Sequence, residues 1–202
     1  METMTKNVLN WGQIAKQAAY LGSLTGLGYF VGITLMYWAG MGLGDWINWV
    51  YRIAVITAII WTIMALRLRY PSGLSFLKAY SAGLMASSVL GLWMLISAFL
   101  FYGQIAPNYL QEYEAFYQRN REVQMYQTQY KNINAELEEE QTSRALTTQD
   151  SLIVQKGLEK HMEGTAYFFT VSGQAVINLI YSLVWGLLVS LPIAYMSMSK
   201  KE

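Results

Sequence analysis

The chain has 202 residues, 54% of them hydrophobic and only 13% charged, with 14 Lys and Arg against 13 Asp and Glu. A charged share about half that of an ordinary soluble domain (~25%) argues against a soluble enzyme and against disorder, and a net charge of +1 gives no pull toward nucleic acid. There is no cysteine, which removes disulfides, zinc–thiolate sites, iron–sulfur clusters and cysteine nucleophiles together.

A helix rises ~1.5 Å per residue, so crossing a hydrocarbon core of ~30 Å takes roughly 20 apolar residues. Ala18 to Ala39 meets this, with no charge between Lys16 and Asp45. It is too long for the apolar core of a signal peptide, and no A-x-A cleavage pattern follows it. The glycine-rich link Gly40-Met41-Gly42-Leu43-Gly44 precedes no βαβ unit and reads as a membrane turn rather than a dinucleotide loop. The second span, Trp46 to Leu68, holds a clean apolar run from Ile53 to Leu66 bounded by Arg52 and Arg67, each placed to snorkel toward its own interface. The third, Ala79 to Tyr102, is uncharged between Lys78 and Glu112.

Residues 103–167 form a polar insert, expected to be helical. Ten acids against six bases lie in 103–172. Pro107 ends the preceding span near Ala106 and is expected in the first turn of a helix running to about Glu140. Along that helix Tyr109, Phe116, Val123, Tyr130 and Leu137 recur every seven residues, with Tyr126 and Ile133 between them over the second half. This aromatic stripe is the candidate partner-binding face, toward a protein partner, a second copy or the membrane surface. A second helix is expected from about Asp150 to Glu163, with Thr148 or Asp150 as N-cap and Gly164 just past its end. A turn near Thr147–Gln149 folds it back on the first.

The fourth span, Phe168 to Met198, begins the unit 168–202 and is uncharged from Glu163 to Lys200. In it Gln174, Asn178, Ser182, Gly186 and Ser190 are four apart, and the third span carries Gly83, Ser87 and Gly91 at the same spacing. Small residues on one helix face let backbones approach closely in lipid, so both sets are candidate helix-packing residues. The expected fold class is therefore all-α: a polytopic membrane protein with four spans (about 18–39, 46–68 and 79–102 within the unit 1–102, then one within 168–202) and a helical insert between the third and fourth.

Lysine and arginine set the expected orientation. Lys6, Lys16, Arg67, Arg69, Lys78, Lys200 and Lys201 share one side, and the short first connection carries none. Both termini are expected in the cytoplasm and 103–167 in the periplasm of a bacterial inner membrane.

Candidate catalytic groups are few. Glu139-Glu140-Gln141-Thr142-Ser143-Arg144 has the E-E-x-x-x-R spacing of CAAX-type intramembrane proteases, but those need histidines on membrane helices, and the single histidine, His161, lies in the polar insert. It reads as an exposed surface residue, and a metal site beside Glu159 and Glu163 would need a third ligand from elsewhere. No serine sits in a G-x-S-x-G elbow. No catalytic, cofactor or metal set is expected. No Asp, Glu, Lys, Arg or His stands at mid-depth in a span, which weighs against an ion pathway.

The layout resembles a family of small integral membrane proteins of unknown function, found mainly in the Bacteroidetes group. The resemblance rests on the basic exit Arg67, Arg69; on Phe76-Leu77-Lys78-Ala79-Tyr80 leading into a helix with Gly83; on the Glu- and Gln-rich insert; and on the last helix around Leu179 to Ser190, closed by Lys200-Lys201. It implies an inner-membrane location with the insert in the periplasm, and no activity. The expected function is that of a non-enzymatic accessory or scaffold subunit acting through its insert. The alternative is a small transporter, channel or lipid-handling protein using a groove between the Gly/Ser-rich faces.

Overall fold

The computed structural model describes residues 9–41, 46–71, 74–138 and 146–197, with the side chains of 134–138 excepted. Among the described residues there are six α-helices and no strand: α1 Trp11–Trp38, α2 Trp46–Arg69, α3 Phe76–Leu100, α4 Tyr109–Glu138, α5 Thr148–Thr165 and α6 Val171–Met196. Four of these stretches, Trp11–Trp38, Trp46–Arg69, Phe76–Ile105 and Val171–Met196, are long and apolar enough to cross a membrane. The fold is an all-α bundle with a helical hairpin between its third and fourth long helices. Lys6, Lys200, Lys201, Gly42, Gly44 and the segment Glu139 to Arg144 lie outside the described residues.

Several boundaries differ from the sequence expectation. α1 begins at Trp11, seven residues before the apolar run, because Asn10 and Gln13 form a capping box: the Gln13 N–H donates to Asn10 Oδ1 (2.8 Å) and the Asn10 N–H to Gln13 Oε1 (3.0 Å). The apolar run marks where lipid contact begins, whereas the cap marks where the helix begins. α3 runs past Tyr102 through a π-helical turn, Phe101–Ile105. Pro107 sits just outside α4 rather than in its first turn, and the Glu112 N–H donates to the Asn108 carbonyl.

α5 starts earlier than expected. Its N-cap is Thr147, and Asp150 is the third helical residue, closing the reciprocal box. Gly164 lies within α5 instead of beyond it. A 3-10 turn, Ala166–Phe169, follows, so the last helix starts at Val171 behind the N-cap Thr170 and not at Phe168.

α3 is the centre of the bundle, packed on α1, α2 and most extensively on α6. The α3–α6 contact is antiparallel and fine-grained. Gly83 meets Ser190, Ser87 meets Gly186 and Gly91 meets Ser182, four residues up one helix for four down the other. A methyl group at Gly83 or Gly186 would overlap the facing serine. The Ser182 hydroxyl donates to the Ser87 carbonyl (2.6 Å), which fixes the register. On the far side of α3, Gly26 of α1 lies against Trp93. α2 contributes the larger core side chains, with Val55, Ile59, Ile63 and Leu66 fully buried. α6 keeps the smallest share of its apolar window inside the bundle and turns Ile180, Val184, Leu187, Leu188 and Leu191 outward, where lipid is their natural solvent.

Candidate functional site

Two features survive as candidate sites: a cleft where the hairpin meets the bundle, and the outer face of the hairpin itself. Both depend on how α4 is turned, and that is set by aromatic side chains. Tyr109, Tyr113 and Tyr117 are four apart, so they share one face of α4. Tyr109 packs edge-on to Phe101 and Tyr37, with ring centroids 6.0 and 6.2 Å away. Tyr113 and Tyr117 both lie against Phe169 of the turn before α6 (6.0 and 5.4 Å). Tyr117 stacks on His161 of α5, and its hydroxyl is 3.1 Å from His161 Nε2. A continuous series of rings thus runs from the bundle into the hairpin. Edge-to-face and offset contacts of this kind contribute about 0.5–1.5 kcal/mol each beyond the area they bury.

Two sequence expectations are corrected here. His161 is not a bare surface residue, because it closes the hairpin against Tyr117. Tyr109 does not belong to an exposed face: it is 5% exposed and part of the core. Burial, with Tyr113 and Glu112 adding to it, pushes its hydroxyl up to about 12, so it stays neutral at physiological pH.

α4 and α5 run antiparallel, with Tyr117 level with His161 and the Gln124–Thr128 stretch level with Ile153–Gly157. The α5 side of α4 is therefore the side of Tyr117, Arg121, Glu122 and Met125, all half-buried. The seven-residue stripe lies on the opposite side. Phe116 is 41% exposed, Val123 50% and Tyr130 48%, while Tyr126 and Ile133 are half-buried. The side chain of Leu137 lies outside the described residues.

The helix-packing candidates divide into two groups. Gly83, Ser87, Gly91, Ser182, Gly186 and Ser190 meet across the α3–α6 contact described above. That contact closes the groove anticipated between the Gly/Ser faces. Asn178 and Gln174, one and two turns before Ser182 on the same stripe, face a cleft instead. It has a volume of about 190 Å³ and lies between the first turns of α2, the end of α3, the start of α4 and the upper part of α6. Its deep wall is Tyr51, Tyr102, Tyr109 and Leu110, all buried, while Asn48 and Tyr181 at its rim are exposed.

Arg52 also lines the cleft. Its guanidinium carbon lies 5.1 Å from the Trp49 ring centre and 6.0 Å from that of Trp185 on α6, so two indoles hold the cation. The Tyr51 hydroxyl donates to the Asn178 carbonyl (2.8 Å), tying α2 to α6 at the same level. The Gln174 amide donates to the Phe168 carbonyl. Among the described residues no carboxylate lines the cleft. The polar residues at 48, 52, 174 and 178 come from two helices far apart in sequence, so no local motif announces them. The one visible signal was Arg52 itself, a cation just inside a span. Among the described residues no group of three His, Asp or Glu side chains is placed to hold a metal ion.

The long apolar helices, their small-residue contact and the polar hairpin define an all-α polytopic membrane protein. The chain belongs to the family described as protein of unknown function DUF4199, whose model matches residues 20–199, a stretch that takes in the hairpin as well as the bundle. Comparison with curated proteins and with solved structures finds no match.

Proposed function

We propose that the protein is a non-enzymatic accessory subunit of a membrane complex, and that it docks a helix of another subunit on the outer face of its hairpin. The observation that carries this reading is the division of α4 into two faces. One face is occupied by α5 and the aromatic series, and the other presents Phe116 and Val123 to the outside on a seven-residue repeat. A repeat of seven, rather than a drift with the 3.6-residue turn, is the pattern that keeps one face against a partner helix over several turns.

Charge disfavours a second copy paired in parallel. Arg119 lies on the same exposed face, between Phe116 and Val123. In two copies paired in parallel it would stand against its own like charge, whereas a helix with an acid at that level would neutralise it. The basic residues Arg67 and Arg69 in the last turn of α2, and Lys78 in the first turn of α3, lie at the bundle end away from the hairpin. This supports an inner-membrane placement with both termini cytoplasmic and the hairpin periplasmic.

The test is a double substitution, Phe116→Glu with Val123→Glu, made in the full chain in its native membrane. Both residues are exposed, so the variant should melt with the wild type. The account expects the solubilised wild-type chain to sediment with a second protein and the variant to sediment alone. Identical sedimentation of the two would defeat it, and a complex made only of copies of this chain would overturn the choice of partner.

A further inference from the structure

The cleft under the hairpin has the composition of an anion site. Among the described residues its one charged group is Arg52, which makes no ion pair with any of them, and none of the Asp or Glu side chains among them lines the cleft. Stacking on Trp49 and Trp185 holds the guanidinium in place but leaves its planar fork of N–H donors to be met by an acceptor. Arg52 stands near the first-turn end of α2, half-buried, where a snorkelling cation meets the charged groups of the interface. The remaining donors agree in sign. Tyr51 and Gln174 are spent on backbone carbonyls, whereas the side-chain amides of Asn48 and Asn178 have no hydrogen-bond partner among the described residues and face the same space.

Size narrows the ligand. A whole drug-sized molecule fills ~300–1,000 Å³. A cleft of about 190 Å³ is smaller. It accommodates a headgroup and not the molecule behind it. Toward the bundle's far end the outward faces of α2 and α6 are apolar, with Ile53, Ile56, Val184 and Leu188 exposed. An acyl chain leaving the cleft would lie along them.

We propose that this cleft binds the anionic headgroup, phosphate or carboxylate, of a single-headed membrane amphiphile, with Arg52 as counter-ion and Asn48 and Asn178 as hydrogen-bond donors. The site is separate from the exposed face of α4, so it stands or falls independently of the docking role.

The full chain, purified in a neutral detergent, is titrated with dioleoyl phosphatidic acid, with oleate and with inorganic phosphate. Occupancy is read from tryptophan fluorescence, since Trp49 and Trp185 flank Arg52, and stoichiometry from native mass spectrometry. Saturation at one amphiphile per chain is expected, with affinity falling about tenfold or more in Arg52→Gln and recovering in part in Arg52→Lys. Arg69→Gln, at the other end of α2, should bind as the wild type does. Asn48→Leu, at the exposed rim, removes one donor without touching the buried wall and should weaken binding several-fold even if Arg52→Gln does not fold. Inorganic phosphate binding as tightly as phosphatidic acid would support the anion site while assigning it to a soluble ligand. Equal affinity in Arg52→Gln and wild type, or no saturation by any of the three, overturns the proposal.

Discussion

At the scale of single residues, the bundle depends on side chains that are absent. Gly83 and Gly186 are glycines because each faces a serine across the α3–α6 contact with no room for a Cβ. Gly28 and Gly32 of α1 look alike in the sequence, yet nothing lies within 4 Å of where their Cβ would stand. Gly186→Val should therefore destabilise the bundle by about 1–3 kcal/mol, as overpacking does. Gly28→Val should leave it nearly unchanged. Thermal unfolding of the two variants in the same detergent checks the contrast, and equal melting would remove the α3–α6 contact from the account. The spacing of four identified the packing stripe of α6 because small residues at i and i+4 fall on one helix face whatever surrounds them. It did not separate Gln174 and Asn178, which continue the stripe but meet the cleft, because only the start of α4 and the neighbouring α2 decide what lies opposite them.

At the scale of elements, the helices that cross the bundle were legible because charge-free runs are long and lipid requires them. Their ends were less so, because an end is fixed by one or two hydrogen bonds. Asn10 with Gln13, Thr147 with Asp150, and Thr170 each set a start that the apolar pattern misplaced. The caps make a direct test possible. Thr147→Ala removes both the side-chain acceptor for the Asp150 N–H and the hydroxyl that donates to Asp150 Oδ2 (2.6 Å). It should cost about 1 kcal/mol of helix stability. The expected readout is faster amide hydrogen exchange over the first turns of α5 with no change in α3 or α6. Unchanged exchange in α5 would mean that contacts with α4, rather than the cap, hold that end. The turning of α4 was the hardest feature to read, because two stripes begin at the same residue. Tyr109, Tyr113 and Tyr117, four apart, form the inward one; Phe116, Val123 and Tyr130, seven apart, form the outward one.

At the scale of the whole molecule, the hairpin and the bundle are joined by the aromatic series from Tyr37 through Phe101, Tyr109 and Tyr113 to Phe169 and His161. This leaves the molecule with two faces of different chemistry on either side of that joint: a cation-bearing cleft toward the bundle and an apolar heptad face on α4. The central claim is that the heptad face is a docking surface. Because the chain contains no cysteine, single cysteines placed one at a time from 116 to 130 report on it without any prior replacement. Crosslinking these variants in native membranes is the most direct measurement. A docking face there predicts adducts to a second protein that are strongest at 116, 123 and 130 and weakest at 117, 121, 122 and 125, which are half-buried toward α5. Adducts strongest on the α5 side, adducts with no seven-residue period, or none at all would contradict it.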